Sequence, residues 1–181
     1  MKYDSKVHHR RSIRLKGYDY SQNGAYFLTI CAYNKRCLFG KIVNTEINLN
    51  DAGRMIEDEW HNLAVRFNNI QLDEHIVMPN HFHGIIMVGA PIMGTQDVRP
   101  AEKAPTRGAP TISKIIGAFK SITTCKYIDG VKIHEWPSFD KKLWQQNYYE
   151  HIIRNETSLE KIRNYVLGNP GNWLIDELWV K

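Results

Sequence analysis

A single mixed α/β domain is what the sequence predicts, and three observations predict it. The chain has 181 residues, enough to bury one core but short for two independent ones. Runs rich in β-branched and aromatic residues alternate with runs whose apolar residues recur at the helical period. Neither an internal repeat nor an apolar stretch near the roughly 20 residues that cross a bilayer interrupts this order.

The elements follow in turn. Ala25 to Tyr33 has strand composition, and Asn34-Lys-Arg36 supplies turn chemistry before Leu38-Phe39, which predicts a strand and a short hairpin partner. Asn50 or Asp51 can cap a helix whose apolar positions Ala52, Met55, Ile56, Trp60, Leu63 and Phe67 keep the 3.6-residue period. Ile70 to Val77 and His81 to Val88 are apolar enough to be strands covered on both faces, bent apart at Pro79-Asn80. Residues 90–110 hold four of the seven prolines and no apolar period, the pattern of a flexible internal loop. Helical spacing returns at Ile112, Ile115, Ile116, Phe119 and Ile122. Further helices are predicted over Leu143 to Arg154 and Ser158 to Leu167, the second stopped by Gly168-Asn-Pro-Gly171.

Composition narrows the partners. Lys plus Arg number 24 against 19 Asp plus Glu, a formal charge of +5, which tilts toward a polyanion. Part of that charge lies in an N-terminal arm, residues 1–17, with Arg10, Arg11, Arg14 and Lys16. A charge run of this kind is more commonly a solvated tail. Cys31, Cys37 and Cys125 are an odd set without CxxC spacing, and no apolar signal core opens the chain. A reducing cytoplasm and no membrane are therefore expected.

Two stretches carry candidate chemistry. In Met78-Pro-Asn-His81-Phe82-His83-Gly84 a strand would project both imidazoles from one face, about 7 Å apart along the chain, with Phe82 on the other. Two imidazoles on one face can share a divalent cation, while the plainer reading is a pair of satisfied histidines at a sheet end. In Trp144-Gln-Gln-Asn-Tyr148-Tyr149-Glu150-His151, helical geometry would put Tyr148 and His151 on one face and Tyr149 with Ile152 and Ile153 on the apolar side. Taken alone, two packed tyrosines on an amphipathic helix are the commoner case.

Together these stretches resemble the REP-associated tyrosine transposases, single-tyrosine members of the HUH superfamily, named for His, a bulky hydrophobic residue, and His. The resemblance runs from Arg14-Leu-Lys-Gly-Tyr18 and Tyr26-Phe-Leu-Thr29 through Met78 to His83 and Phe119-Lys-Ser121. It continues over Trp144-Gln145, Tyr148, Glu150-His151 and Arg154 to Tyr165-Val-Leu-Gly-Asn-Pro170. It implies an α+β fold, an antiparallel sheet flanked by helices of the ferredoxin-like HUH nuclease kind, spanning residues 1–181. It also implies cleavage and strand transfer on single-stranded or hairpin DNA through a 5′-phosphotyrosine.

Carried over, His81 and His83 are the metal ligands and Tyr148 the nucleophile, with Mg2+ or Mn2+ as the cation. In related single-tyrosine transposases a polar residue one turn after the tyrosine completes the metal site. The residue four after Tyr148 is Ile152, so His151 is the better candidate for a third ligand. Lys120 and Arg154, with the arm's Arg10, Arg11, Arg14 and Lys16, are candidates to meet phosphates, against the equally weighted reading of solvated surface charge. Trp144 and Tyr149 are candidates to stack on bases, though core packing is the more common role. Two other functions fit the same residues: a hairpin-binding module without catalysis, and a histidine phosphoesterase without a covalent step. Monomer and homodimer both remain open at this level.

Overall fold

The computed structural model describes residues 24–89, 111–175 and 178. The basic arm, with Arg10, Arg11, Arg14 and Lys16, and the proline-rich stretch 90–110 lie outside these described residues. The elements are β1 (Gly24–Cys31), β2 (Gly40–Val43), β3 (Glu46–Leu49), α1 (Asp51–Arg66), β4 (Ile70–Met78) and β5 (His81–Val88). After the undescribed stretch come α2 (Ile112–Ile133), β6 (Tyr149–Ile153), α3 (Glu156–Gly168) and a 3-10 helix, Pro170–Ile175.

Four strands form one sheet in the order β4-β5-β1-β6, with every neighbouring pair antiparallel. Setting aside the small β2-β3 hairpin, the chain runs βαββαβ with β5 inserted between β1 and β4. This is the α+β, ferredoxin-like arrangement that the family resemblance implies. The alternation of side chains divides its two faces. Tyr26, Leu28, Ile30, Phe82 and Ile86 pack against Ile56, Trp60 and Leu63 of α1 and Ile112, Ile116 and Phe119 of α2. On the other face Phe27, Ile85 and Ile153 meet Leu159 and Val166 of α3.

Local chemistry sets the element ends. Asn50 caps α1, its side chain accepting from the Gly53 amide at 2.9 Å, and Asn155 caps α3 in the same way through the Ser158 amide at 2.8 Å, each satisfying one of the amides that a helix start leaves open. Gly84 has a steric reason. A Cβ there would sit 2.6 Å from the Trp60 ring and 2.7 Å from Phe82, so only glycine lets α1 close onto the strand that carries the histidines.

Two sequence expectations need correction. Leu38 and Phe39 are buried but form no hairpin with β1, whose neighbours are β5 and β6. They enter the core from a loop whose amides bond to the Pro79 carbonyl at 2.9 and 3.1 Å. The helix expected over Leu143 to Arg154 is also not there. Residues 143–148 are irregular, and Tyr149–Ile153 is the edge strand β6, pairing along β1 from Thr29↔Tyr149 to Ala25↔Ile153.

A candidate active site on the sheet face under the third helix

His81 and His83 open β5 just after the Pro79-Asn80 bend, and both are buried, at 0% and 2% exposure. The strand alternation gives them the face opposite Phe82, whose ring lies 4.6 Å from Trp60 and 5.5 Å from Phe119. The hydrophobic residue between the histidines thus anchors the strand in the main core while the imidazoles turn toward α3. Their ring centroids are 4.6 Å apart.

Each ring is held at Nδ1. His81 Nδ1 lies 2.7 Å from Asn80 Oδ1, and His83 Nδ1 lies 2.9 Å from Thr29 Oγ1. Asn80 is itself fully buried, its amide donating to the carbonyls of Lys35 at 3.2 Å and Leu178 at 2.7 Å. With Nδ1 engaged in both rings, Nε2 is the nitrogen each presents, the usual arrangement when a neighbour fixes the orientation of a ligating imidazole. Burial, with the Lys35 cation adding to it, pushes His81 down to about 3. It therefore stays neutral, with a lone pair to offer, across the physiological range. Phe27 stacks on His83 at 5.3 Å, and Trp173 of the 3-10 helix stacks on His81 at 6.0 Å.

Of the three tyrosines around this face, Tyr165 of α3 stands over the histidines. Its ring centroid is 5.4 Å from that of His83, nearly edge-on, and the side chain is 48% exposed. Helical geometry continues through Asn169, which follows α3 with αR backbone angles. The four-residue spacing places Asn169 on the Tyr165 side, one turn on. Asn169 is 2% exposed, and its Oδ1 is buried with no hydrogen-bond partner. A buried amide oxygen left in this way costs about 1–3 kcal/mol unless a hydrogen-bond donor or a cation meets its lone pairs. Tyr165, Asn169 and His83 line one cleft of about 810 Å³.

The other residues put forward from sequence are placed around this pair in various ways. Tyr148 lines the same cleft, but its hydroxyl lies 3.2 Å from Ser113 Oγ of α2, and the ring packs on the main core. Tyr149 and His151 share the histidine face, because β6 pairs Thr29↔Tyr149 and Phe27↔His151 while β5 pairs Thr29↔His83. Among the described residues no three His, Cys, Asp or Glu side chains form a group able to hold a metal, so His151 is not brought to His81 and His83. Lys120 turns inward and donates to the carbonyls of Gln145 and Gln146. Burial and the neighbouring Lys142 lower its pKa. It braces the segment before β6. Arg154 is exposed just past β6, at the end of that strand away from the cleft. Trp144 is buried, its indole N–H donating to Thr123 Oγ1 at 2.9 Å.

The helix bearing Tyr165 is held down by an ion pair that periodicity could not reveal. Arg163 reaches Asp73 on β4 with two nitrogens, at 2.9 and 2.6 Å, where the β4-β5 register shifts between Leu72 and His75. The Arg163 guanidinium holds the Asp73 carboxyl below the usual carboxylate range. Removing one partner of a buried pair costs about 3–5 kcal/mol, and the partial exposure of Arg163 reduces this to roughly 1–3 kcal/mol. Arg163→Ala is therefore expected to lower the melting midpoint by about 3–10 °C in a chain of this size. An unchanged melting curve would mean that Leu159, Ile162 and Val166 alone seat α3.

No protein-family model matches the chain. A protein of Haemophilus influenzae (strain ATCC 51907 / DSM 11121 / KW20 / Rd), described as uncharacterized, is 42% identical over 183 residues, 99% of this chain and 98% of that protein. A solved structure, described as that of the REP associates tyrosine transposase bound to a REP hairpin, aligns with a TM-score of 0.56. It covers 90% of this chain and 74% of that one at 18% identity. The fold is therefore that of the transposase.

Proposed function

We propose, for a chain that belongs to the same family as the Haemophilus influenzae protein and has the fold of the REP-associated tyrosine transposase, a metal-dependent DNA cleavage and strand-transfer activity with Tyr165 as nucleophile. The observation that carries this is the convergence of a half-exposed tyrosine, the buried His83 imidazole and one buried, unsatisfied amide oxygen on a single cleft, with the His81 ring 4.6 Å behind that of His83. The solved neighbour is bound to a REP hairpin, and the substrate proposed here is likewise single-stranded or hairpin DNA.

The donor set fits a divalent cation. His81 and His83 through Nε2, with Asn169 through Oδ1, would hold a cation, and the mixed nitrogen and oxygen donors suit Mn2+ or Mg2+ completed by water and phosphate oxygens. When bound, it would polarise the scissile phosphate and stabilise charge in the transition state.

The chain's own residues do the rest. Asn80 and Thr29 fix the two imidazoles, so that little reorganisation is needed. The Tyr165 hydroxyl attacks phosphorus. The new bond is tyrosine oxygen to phosphorus, and the bond that breaks joins phosphorus to the 3′ oxygen. The phenol gives up a proton and the leaving 3′ oxygen takes one up. The phosphodiester is exchanged for a 5′-phosphotyrosine and never hydrolysed, so a second 3′-OH can reverse the step onto a new strand.

The experiment is incubation with a panel of DNA hairpins carrying single-stranded flanks, with Mn2+ or with chelator, followed by a denaturing gel. A protein-DNA adduct that needs the cation is the expected product. Cleavage without any adduct would replace strand transfer by hydrolysis, and binding without cleavage would leave a hairpin-recognition module.

A further inference from the structure

The cleft before Tyr165 is lined by chemistry that a phosphate backbone does not call for. Among its described lining residues none is Lys, Arg, Asp or Glu. Aromatic rings and neutral amides predominate, including Tyr149, Gln145 and Asn147. Tyr149 is 50% exposed although it is the first residue of a strand. Its position follows from register. His83, Thr29 and Tyr149 stand side by side on β5, β1 and β6, which puts Tyr149 two strand spacings, about 10 Å, from His83.

The segment leading to Tyr149 is irregular but firmly held. The Gln145 amide donates to the Cys31 carbonyl at 2.9 Å, Ala32 bridges to Trp144, and Lys120 grips the carbonyls of Gln145 and Gln146. These bonds use backbone groups and the Lys120 side chain. Gln145 and Asn147, whose side chains end in amides, line the cleft together with the exposed Tyr149 ring. A ring offers a stacking surface to any base, and an amide offers one donor and one acceptor to a base edge.

We infer that Tyr149, Gln145 and Asn147 form a nucleobase subsite, in which an unpaired base beside the scissile phosphate stacks on Tyr149 while the amides meet its edge. This rests on the DNA-cleaving reading above and adds to it the way the strand is seated. The single-stranded nucleotide is gripped by its base at β6, and its neighbouring phosphate is thereby set under Tyr165.

The test uses the full chain carrying Tyr165→Phe, which cannot cleave, and hairpins with single-stranded flanks carrying 2-aminopurine at each position around the cleavage step. Binding should quench the fluorophore at one flanking position. Adding Tyr149→Ala or Tyr149→Leu should abolish that quenching and weaken binding about five- to a hundredfold, the range for loss of one base-aromatic stack. Tyr149→Phe, which keeps the ring, should preserve both. Equal quenching and affinity with Tyr149→Leu would overturn the subsite while leaving the DNA reading intact. Failure of the Tyr165→Phe protein to bind any of the oligonucleotides would overturn both.

Discussion

Tyr165→Phe is expected to eliminate the covalent DNA product while leaving the protein folded and able to bind hairpins. The substitution removes one oxygen from a side chain whose ring packing against Phe27 and His83 is otherwise kept. Loss of the proposed nucleophile should take the rate down by at least roughly a thousandfold, in practice below detection. The neighbouring tyrosines give the contrast. Tyr148→Phe gives up the contact with Ser113 on α2, worth about 0.5–1.5 kcal/mol of stability, and should still form the adduct. Tyr149→Phe should form it as well. Digestion of the adduct and mass spectrometry of the nucleotide-bearing peptide would identify the residue directly. Adduct on the peptide containing Tyr148, or a Tyr165→Phe protein that still cleaves, would return the nucleophile to the segment before β6.

The three tyrosines also show where the sequence was legible and where it was not. The α1 stripe, the two strands joined at Pro79-Asn80, and the apolar spacings of α2 and α3 all follow from local periodicity. Local periodicity could place His81 and His83 on one face because strand alternation is a property of the strand alone. Tyr148 to Ile153 is different. Its pairs of apolar residues three and four apart satisfy a helix, and its β-branched and aromatic content satisfies an edge strand. The choice is made by β1, whose open edge is more than a hundred residues away in the chain. With the wrong period the faces invert, and the tyrosine assigned to the core is the one on the histidine face. The role proposed for Tyr165 has a counterpart in the spacing. Asn169 follows it by four residues, the polar position one turn on that Tyr148 lacks. Inside an amphipathic helix that ends at Gly168-Asn-Pro-Gly171, the pair looks like a surface ring and a helix stop.

Asn169→Ala is the variant that decides whether this end of α3 is a ligand or only a helix end. Asn169 has a structural role, its backbone amide bonding to the Val166 carbonyl at 3.3 Å as α3 closes. That bond survives truncation of the side chain, so a capping residue alone would lose little. A ligand would lose much more. Taking away one of three protein donors should weaken Mn2+ binding by about ten- to a hundredfold and lower adduct formation at limiting Mn2+ by a similar factor. Excess Mn2+ should restore part of the rate. Asn169→Asp keeps the oxygen and adds a charge, so it should hold the cation at least as tightly as the parent. His83→Ala, which removes the imidazole nearest Tyr165, should lose both cation binding and cleavage while hairpin binding persists. Calorimetric titration of Mn2+ into each apo protein reads the affinity without reference to turnover. Identical Mn2+ affinity in the parent and Asn169→Ala, with an unchanged adduct rate, would remove Asn169 from the site and leave its buried oxygen to an ordered water. Identical affinity in His83→Ala as well would remove the metal from this cleft altogether.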